Sequence, residues 1–142
     1  MTEKFTAKAS VVVKATPAQV WEALTTPSMV KQYLFGTDVK SDWQVGSPIT
    51  YTGVWEGKPY EDHGVILAVE PEKLLSTTYW SPAFGKPDLP ENYMQVDYII
   101  TPMDDGTQLT IEQSGNPTKE SADHSASNWN MVLGGLKKLL EK

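Results

Sequence analysis

An apolar stripe near the C-terminal end constrains this chain more than any other feature. Trp129, Val132, Leu133, Leu136, Leu139 and Leu140 recur at three- and four-residue spacing, the period of one helix face. Glu120 and Asp123 stand near the start of the segment and Lys137, Lys138 and Lys142 near its end, as the helix dipole prefers. The spacing predicts a helix from about Lys119 to the end of the chain. Its stripe must be buried, and the residues before it offer a sheet to bury it on.

That sheet is written in period two. Phe5, Ala7, Ala9, Val11 and Val13 alternate with Thr6, Lys8, Ser10 and Lys14, the pattern of a half-buried strand. Thr16-Pro17-Ala18-Gln19 then opens a helix: threonine caps, proline suits the first position, and Gln19 reaches back to the cap amide. Val20, Ala23 and Leu24 share one side of it. Pro27 ends it, and Thr26-Pro27 repeats the start signal for a second short helix through Tyr33 or Leu34, with Gly36 as its stop. Strands follow. Thr37 to Asp42 is short and weakly marked; Ile49 to Trp55, Tyr60 to Val69, Leu74 to Trp80, Tyr93 to Thr101 and Thr107 to Ser114 are clearer. Asp105-Gly106 marks a hairpin. Ser81 to Asn92, with Pro82, Gly85, Pro87 and Pro90, is the one long irregular loop, a length often tied to function. The expected order is β-α-α-β-β-β-β-β-α, an α+β domain spanning 1–142.

Bulk properties narrow the function classes. The chain has 142 residues, so a single domain can bury roughly two-thirds of its unfolded surface without disulfides or metal. Zero cysteines exclude a disulfide framework, a thiolate metal site and a cysteine nucleophile, and suit a cytoplasmic location. Met1 to Lys8 has no apolar core and does not read as a secretory signal. No apolar run approaches the roughly 18 residues of a membrane helix. The net charge of −6 and the absence of clustered Lys and Arg argue against nucleic acid and anionic membrane as partners.

Several segments together carry a resemblance. They are Thr16-Pro17-Ala18-Gln19-Val20-Trp21-Glu22-Ala23-Leu24-Thr25, the Val45-Gly46 turn, and Gly64 leading into Glu70-Pro71-Glu72-Lys73-Leu74. They continue through Asp105-Gly106-Thr107-Gln108-Leu109-Thr110 and end with Trp129 ahead of Leu133, Leu136 and Leu140. In order and spacing they resemble the START-like (SRPBCC) superfamily, and within it the activator of Hsp90 ATPase homologue 1-like (AHSA1-like) family. The resemblance implies the helix-grip fold: a curved antiparallel sheet with two short N-terminal helices and a long C-terminal helix packed across it. It also implies an apolar cavity between sheet and final helix. Functions across the superfamily range from binding lipids, hormones and polyketides to cyclase chemistry and co-chaperone contact with Hsp90; the family name adds a link to stress response. Asn128 stands where the family often has glycine, and Tyr33-Leu34-Phe35 where it often has tryptophan, so a relative's ligand does not carry over.

Trp21, Trp43, Trp55, Trp80 and Trp129, with Tyr33, Tyr51, Tyr79 and Tyr98, are the main chemical clue, since small-molecule pockets pair aromatics with a few polar groups. Aromatics also simply fill cores, and Trp21, beside Val20 and Leu24, reads that way. The residues expected to contact a ligand are Tyr33, Trp55, Trp80, Met94, Tyr98, Trp129 and Leu133. In Glu61-Asp62-His63 a strand puts Glu61 and His63 on one face and Asp62 on the other. Solvated strand-end charges are the plainer reading of that cluster, and no third metal ligand has recognisable spacing. His124 belongs to a polar helix start. Gly134-Gly135 inside the last helix costs about 1 kcal/mol per glycine relative to alanine, which points to close packing, or else to room for a ligand or a bend. No G-x-S-x-G, H-E-x-x-H, P-loop or G-x-G-x-x-G is present.

These features predict a non-catalytic binder of a small, largely apolar molecule, roofed by the final helix and gated by Ser81 to Asn92. No metal and no cofactor is expected, and the protein is expected to be a monomer or weak dimer. A protein-interaction module acting on a chaperone is the second reading. The third is a cyclase- or hydrolase-like enzyme using His63, Tyr98 or Asp97. A packed interior would favour the second reading; buried acids around a sealed cavity would favour the third.

Overall fold

Alternation in the first thirteen residues becomes strand β1, Phe5–Val13, with Ala7, Ala9 and Val13 buried. The structure, a computed structural model, describes residues 5–34, 36–55, 57–81 and 87–141, with the side chains of Trp55 and Pro90 outside that set. Helix α1, Pro17–Thr25, starts as its sequence dictates. Thr16 Oγ1 accepts from the Gln19 amide at 3.1 Å, and Gln19 Oε1 accepts from the Thr16 amide at 2.8 Å. Helix α2, Pro27–Tyr33, is less firmly begun: Thr26 caps it without a side-chain hydrogen bond. Gly36, at φ +80°, turns the chain out of it, a conformation glycine adopts at no steric cost.

Six strands follow: β2 Asp38–Ser41, β3 Pro48–Trp55, β4 Lys58–Glu70, β5 Leu74–Tyr79, β6 Met94–Met103 and β7 Gly106–Asn116. Helix α3, Lys119–Leu140, closes the fold, with Thr118 Oγ1 accepting from the Ser121 amide at 3.0 Å. The weakly marked Thr37–Asp42 segment thus takes its place as β2, and the elements otherwise follow the expected order. The sheet order is β1-β7-β6-β5-β4-β3-β2, every neighbouring pair antiparallel. The β6–β7 turn falls on Asp104 and Asp105, and Gly106 is already the first residue of β7. A Cβ on Gly106 would lie 2.2 Å from the Val13 carbonyl oxygen, which is why glycine stands there.

Register sorts the side chains onto two faces. Val39 opposes Tyr51, Leu75 opposes Tyr98, Tyr98 opposes Ile111, and Ala9 opposes Ile111 from the other side. These residues share the inner face, where Val132, Leu133 and Leu136 of α3 join one apolar core with Val20, Ala23 and Leu24 of α1. The three helices therefore cover one face of the sheet and leave the other open. Among the described residues, no helix is long and apolar enough to cross a membrane.

Candidate functional site

A small cavity opens where α2, α3 and the inner face meet. It is lined by the Tyr33, Tyr51 and Tyr98 rings, by Trp43 and Trp129, and by the aliphatic side of α3. Its volume is about 30 Å³, room for about one water molecule. No charged side chain lines it among the described residues. The expected ligand residues divide around it. Tyr33, Tyr98, Trp129 and Leu133 line the cavity together. Met94 is buried on the inner face but spends its sulfur on Gln113, whose Nε2 donates to it at 2.7 Å. Gln113 Oε1 in turn accepts from Trp129 Nε1 at 2.7 Å, so an inward amide fixes the indole, which meets Tyr98 edge-on at 6.0 Å.

Trp80 is placed elsewhere. It follows Tyr79 on β5 and so points to the outer face, where it stacks on His63 at 5.2 Å. The Trp55 side chain lies outside the described residues.

The phenols are polar handles in an apolar wall. Tyr33 donates to the Ala23 carbonyl at 2.9 Å, and Tyr79, just outside the cavity lining, donates to Asp62 Oδ2 at 2.7 Å. Tyr51 and Tyr98 both line the cavity and influence each other's ionisation. Burial pushes the Tyr98 hydroxyl up to about 12 and those of Tyr33, Tyr51 and Tyr79 well above their usual range, so all four are neutral donors at physiological pH.

The outer face holds a different cluster. Glu61 is exposed and Asp62 points inward, as period two requires, but His63 is not a solvated strand-end charge. His63 Nε2 lies 2.8 Å from Asp88 Oδ2 and 3.1 Å from the Tyr93 hydroxyl, and Tyr93 donates to Asp88. The Tyr93 bond holds the Asp88 carboxyl below its usual range, and the same bond pushes the Tyr93 hydroxyl up to about 12. Trp80 Nε1 donates to the Pro87 carbonyl at 3.2 Å and Asn92 Nδ2 to the same oxygen at 2.9 Å. The described part of the expected gate, Pro87 to Asn92, is thus pinned to the outer face rather than laid over the cavity; residues 82–86 lie outside the described set. Asp97 is on the outer face too, accepting from Ser76 Oγ at 2.5 Å. His124 is exposed at the start of α3.

Residues 14–141 match the family described as activator of Hsp90 ATPase homolog 1-like protein. The chain belongs to that family. Solved structures carry the same fold. Protein ChR145 from Cytophaga hutchinsonii is 43% identical, with a TM-score of 0.84 over 99% of this chain and 95% of that one. Protein MLL2253 from Mesorhizobium loti is 27% identical, with a TM-score of 0.76 over 96% of each chain. The Aha1 dimer from Colwellia psychrerythraea is 20% identical, with a TM-score of 0.75 and 96% of each chain covered. No curated protein matches the chain. In this family member two aromatic cavity residues, Trp43 and Tyr51, escaped the sequence reading of the site, although both belong to its aromatic set; so did several aliphatic ones such as Leu75 and Ile111. Tyr51 was findable, because it shares a strand face with Ile49. Trp43 was not, because it reaches the cavity from a loop at φ 57°, a conformation rare for a bulky residue.

Proposed function

We propose that the protein binds a small, largely apolar molecule between the inner sheet face and α3, without transforming it. The observation carrying this reading is the uncharged cavity, lined among the described residues by Trp43, Trp129, aliphatic side chains and the phenols of Tyr33, Tyr51 and Tyr98. At about 30 Å³ it must widen to admit a guest. Helix α2 is the wall best able to give: it is seven residues long and its cap lacks a side-chain bond. The absence of turnover is proposed because His63 and Asp97, two of the three candidate acid–base groups, face away from the cavity. Tyr98 alone lines it, and its raised pKa makes it a poor base.

The test is native mass spectrometry of protein purified from its own host, followed by thermal-shift measurement with any molecule retained. A ligand at a hundred times its Kd should stabilise the fold by about 2.7 kcal/mol. A retained compound recovered unchanged after long incubation supports the binder; conversion that disappears in Tyr98→Phe would replace it with an enzyme.

The small cavity itself favours a second reading, a module that contacts a chaperone, as the family description suggests. An empty protein that binds purified Hsp90 and changes its ATPase rate would establish that role instead.

A further inference from the structure

Hydrogen bonds on the outer face fix where His63 carries its proton. Tyr93 has a single proton and gives it to Asp88 Oδ1, so its oxygen can only accept from the imidazole. Asp88 Oδ2, a carboxylate oxygen, accepts as well. His63 Nε2 therefore holds a proton shared between Asp88 at 2.8 Å and Tyr93 at 3.1 Å. That leaves Nδ1 as the nitrogen that gains or loses a proton. The ring stacks on Trp80, whose Nε1 donates to the Pro87 carbonyl at 3.2 Å. Strands β4 and β5 and the 87–93 segment thus meet on one imidazole.

Little else fastens that segment to the sheet. The β4–β5 ladder runs from Glu70 to Ile66 and then lapses. The Val65 amide donates to Thr78 Oγ1 at 2.8 Å instead of to a carbonyl, and pairing resumes at the isolated His63–Trp80 bridge. Within the segment, the Leu89 amide donates to Pro87 at 2.9 Å and the Asn92 amide to Leu89 at 2.8 Å, which binds the segment to itself. Among the described residues, the hydrogen bonds from 87–92 to the sheet end on His63 and Trp80.

Charge around the ring is one-sided. Asp88 faces Nε2, and Glu61 shares the strand face of His63. Thr50 opposite it on β3 and Trp80 beyond β5 are uncharged, and Tyr93, its hydroxyl pushed up to about 12, stays neutral. A proton on Nδ1 is therefore worth more with the segment docked than with it released, and an imidazole changes charge within the physiological range. We propose that His63, Trp80, Asp88 and Tyr93 form an acid-tightened clasp, which holds the 87–93 segment on the outer face more firmly when the imidazole is charged. The gain from that charge is present below neutral pH and is lost as pH rises past it, leaving the neutral N–H bond. The Tyr93 bond holds the Asp88 carboxyl below its usual range, so the carboxylate persists through mildly acid pH. The clasp lies on the face opposite the cavity and stands whatever the cavity holds.

The reporter is the Trp80 Nε1–H, whose acceptor lies across the clasp. Its hydrogen-exchange protection, and that of the Leu89 and Asn92 amides, is measured by NMR on the whole protein at about pH 5.5 and about pH 8, each rate corrected for the intrinsic rate at that pH. Protection should be about two- to fivefold higher at the lower pH, the worth of a partly exposed ion pair. Asp88→Asn and His63→Gln should each flatten the difference. His124→Gln, which removes the other histidine, should leave it as it was. Equal protection at the two pH values, greater protection at the higher one, a difference that survives either clasp substitution, or one that vanishes with His124 would each overturn the clasp. The wild-type comparison decides the matter even if a variant does not fold.

Discussion

Gln113 is buried in the core and has both ends of its amide committed, Nε2 to the Met94 sulfur and Oε1 to the Trp129 indole. The indole therefore does two jobs, filling space and satisfying a buried acceptor. Trp129→Ala should cost about 2–4 kcal/mol in urea unfolding, less than a fully buried tryptophan because the ring is only partly buried. Trp129→Phe retains a ring but strands Gln113 Oε1, at about 1–3 kcal/mol. A phenylalanine variant as stable as the parent would show the amide bond to be worth nothing. At this scale the sequence was legible wherever periodicity alone sets direction. Tyr98 on its strand and Trp129 and Leu133 on their helix face point where their spacing says. Trp80 was legible and misassigned: it is out of phase with Leu75, Thr77 and Tyr79. The Gln113 bridge was not legible, because a buried glutamine on an alternating strand looks like any other polar residue until its partners arrive from β6 and α3.

The elements differ in how locally they are specified. Helix α1 is written in four residues, Thr16 to Gln19, and forms as written. Strand β2 is barely marked because only Val39 of its four residues is buried; it exists because β3 supplies a ladder for it. The Gly134-Gly135 pair resolves unequally. A Cβ on Gly135 would touch Tyr33 at 3.4 Å, so that glycine serves the packing of α2 on α3. A Cβ on Gly134 would meet nothing within 4 Å. Gly134→Ala should therefore raise stability by about 0.5–1 kcal/mol, measured by thermal or urea unfolding. A loss on that substitution would mean the helix needs its glycine for bending. Gly64 is the opposite case. A Cβ there would sit 1.8 Å from the Thr78 carbonyl oxygen, so Gly64→Ala should cost several kcal/mol, about 3 or more, by forcing β4 and β5 apart. A mild effect in the same assay would show that the two strands can separate cheaply.

Buried phenols give the whole molecule an alkaline limit. Tyr33, Tyr51, Tyr79 and Tyr98 have folded-state pKa values above the usual 10.0, Tyr98 at about 12. Below pH 10 they are neutral folded or unfolded, and their contribution to stability is fully present. As pH rises from 10.0 through 12, the unfolded chain loses protons that the folded one keeps, so stability should fall steadily. Urea midpoints across that range should drop, and Tyr98→Phe should make the drop shallower; a flat profile would mean the hydroxyls are not buried in solution. The pairing of β1 with β7 was not legible at all, since Phe5 meets Asn116 across a separation of 111 residues. Synthesis meets that arrangement from the wrong end. At roughly 5–20 residues per second, the first strand leaves the ribosome on the order of ten seconds before the strand it must pair with. Through that interval Ala7, Ala9 and Val13 have no sheet to join, and β1 is a sticky edge without a neighbour. The end of the chain then locks its beginning, with the Lys14 amide donating to Glu141 at 2.9 Å. Folding of this domain therefore completes only after β7 and α3 have been made, and that long-range pairing slows it.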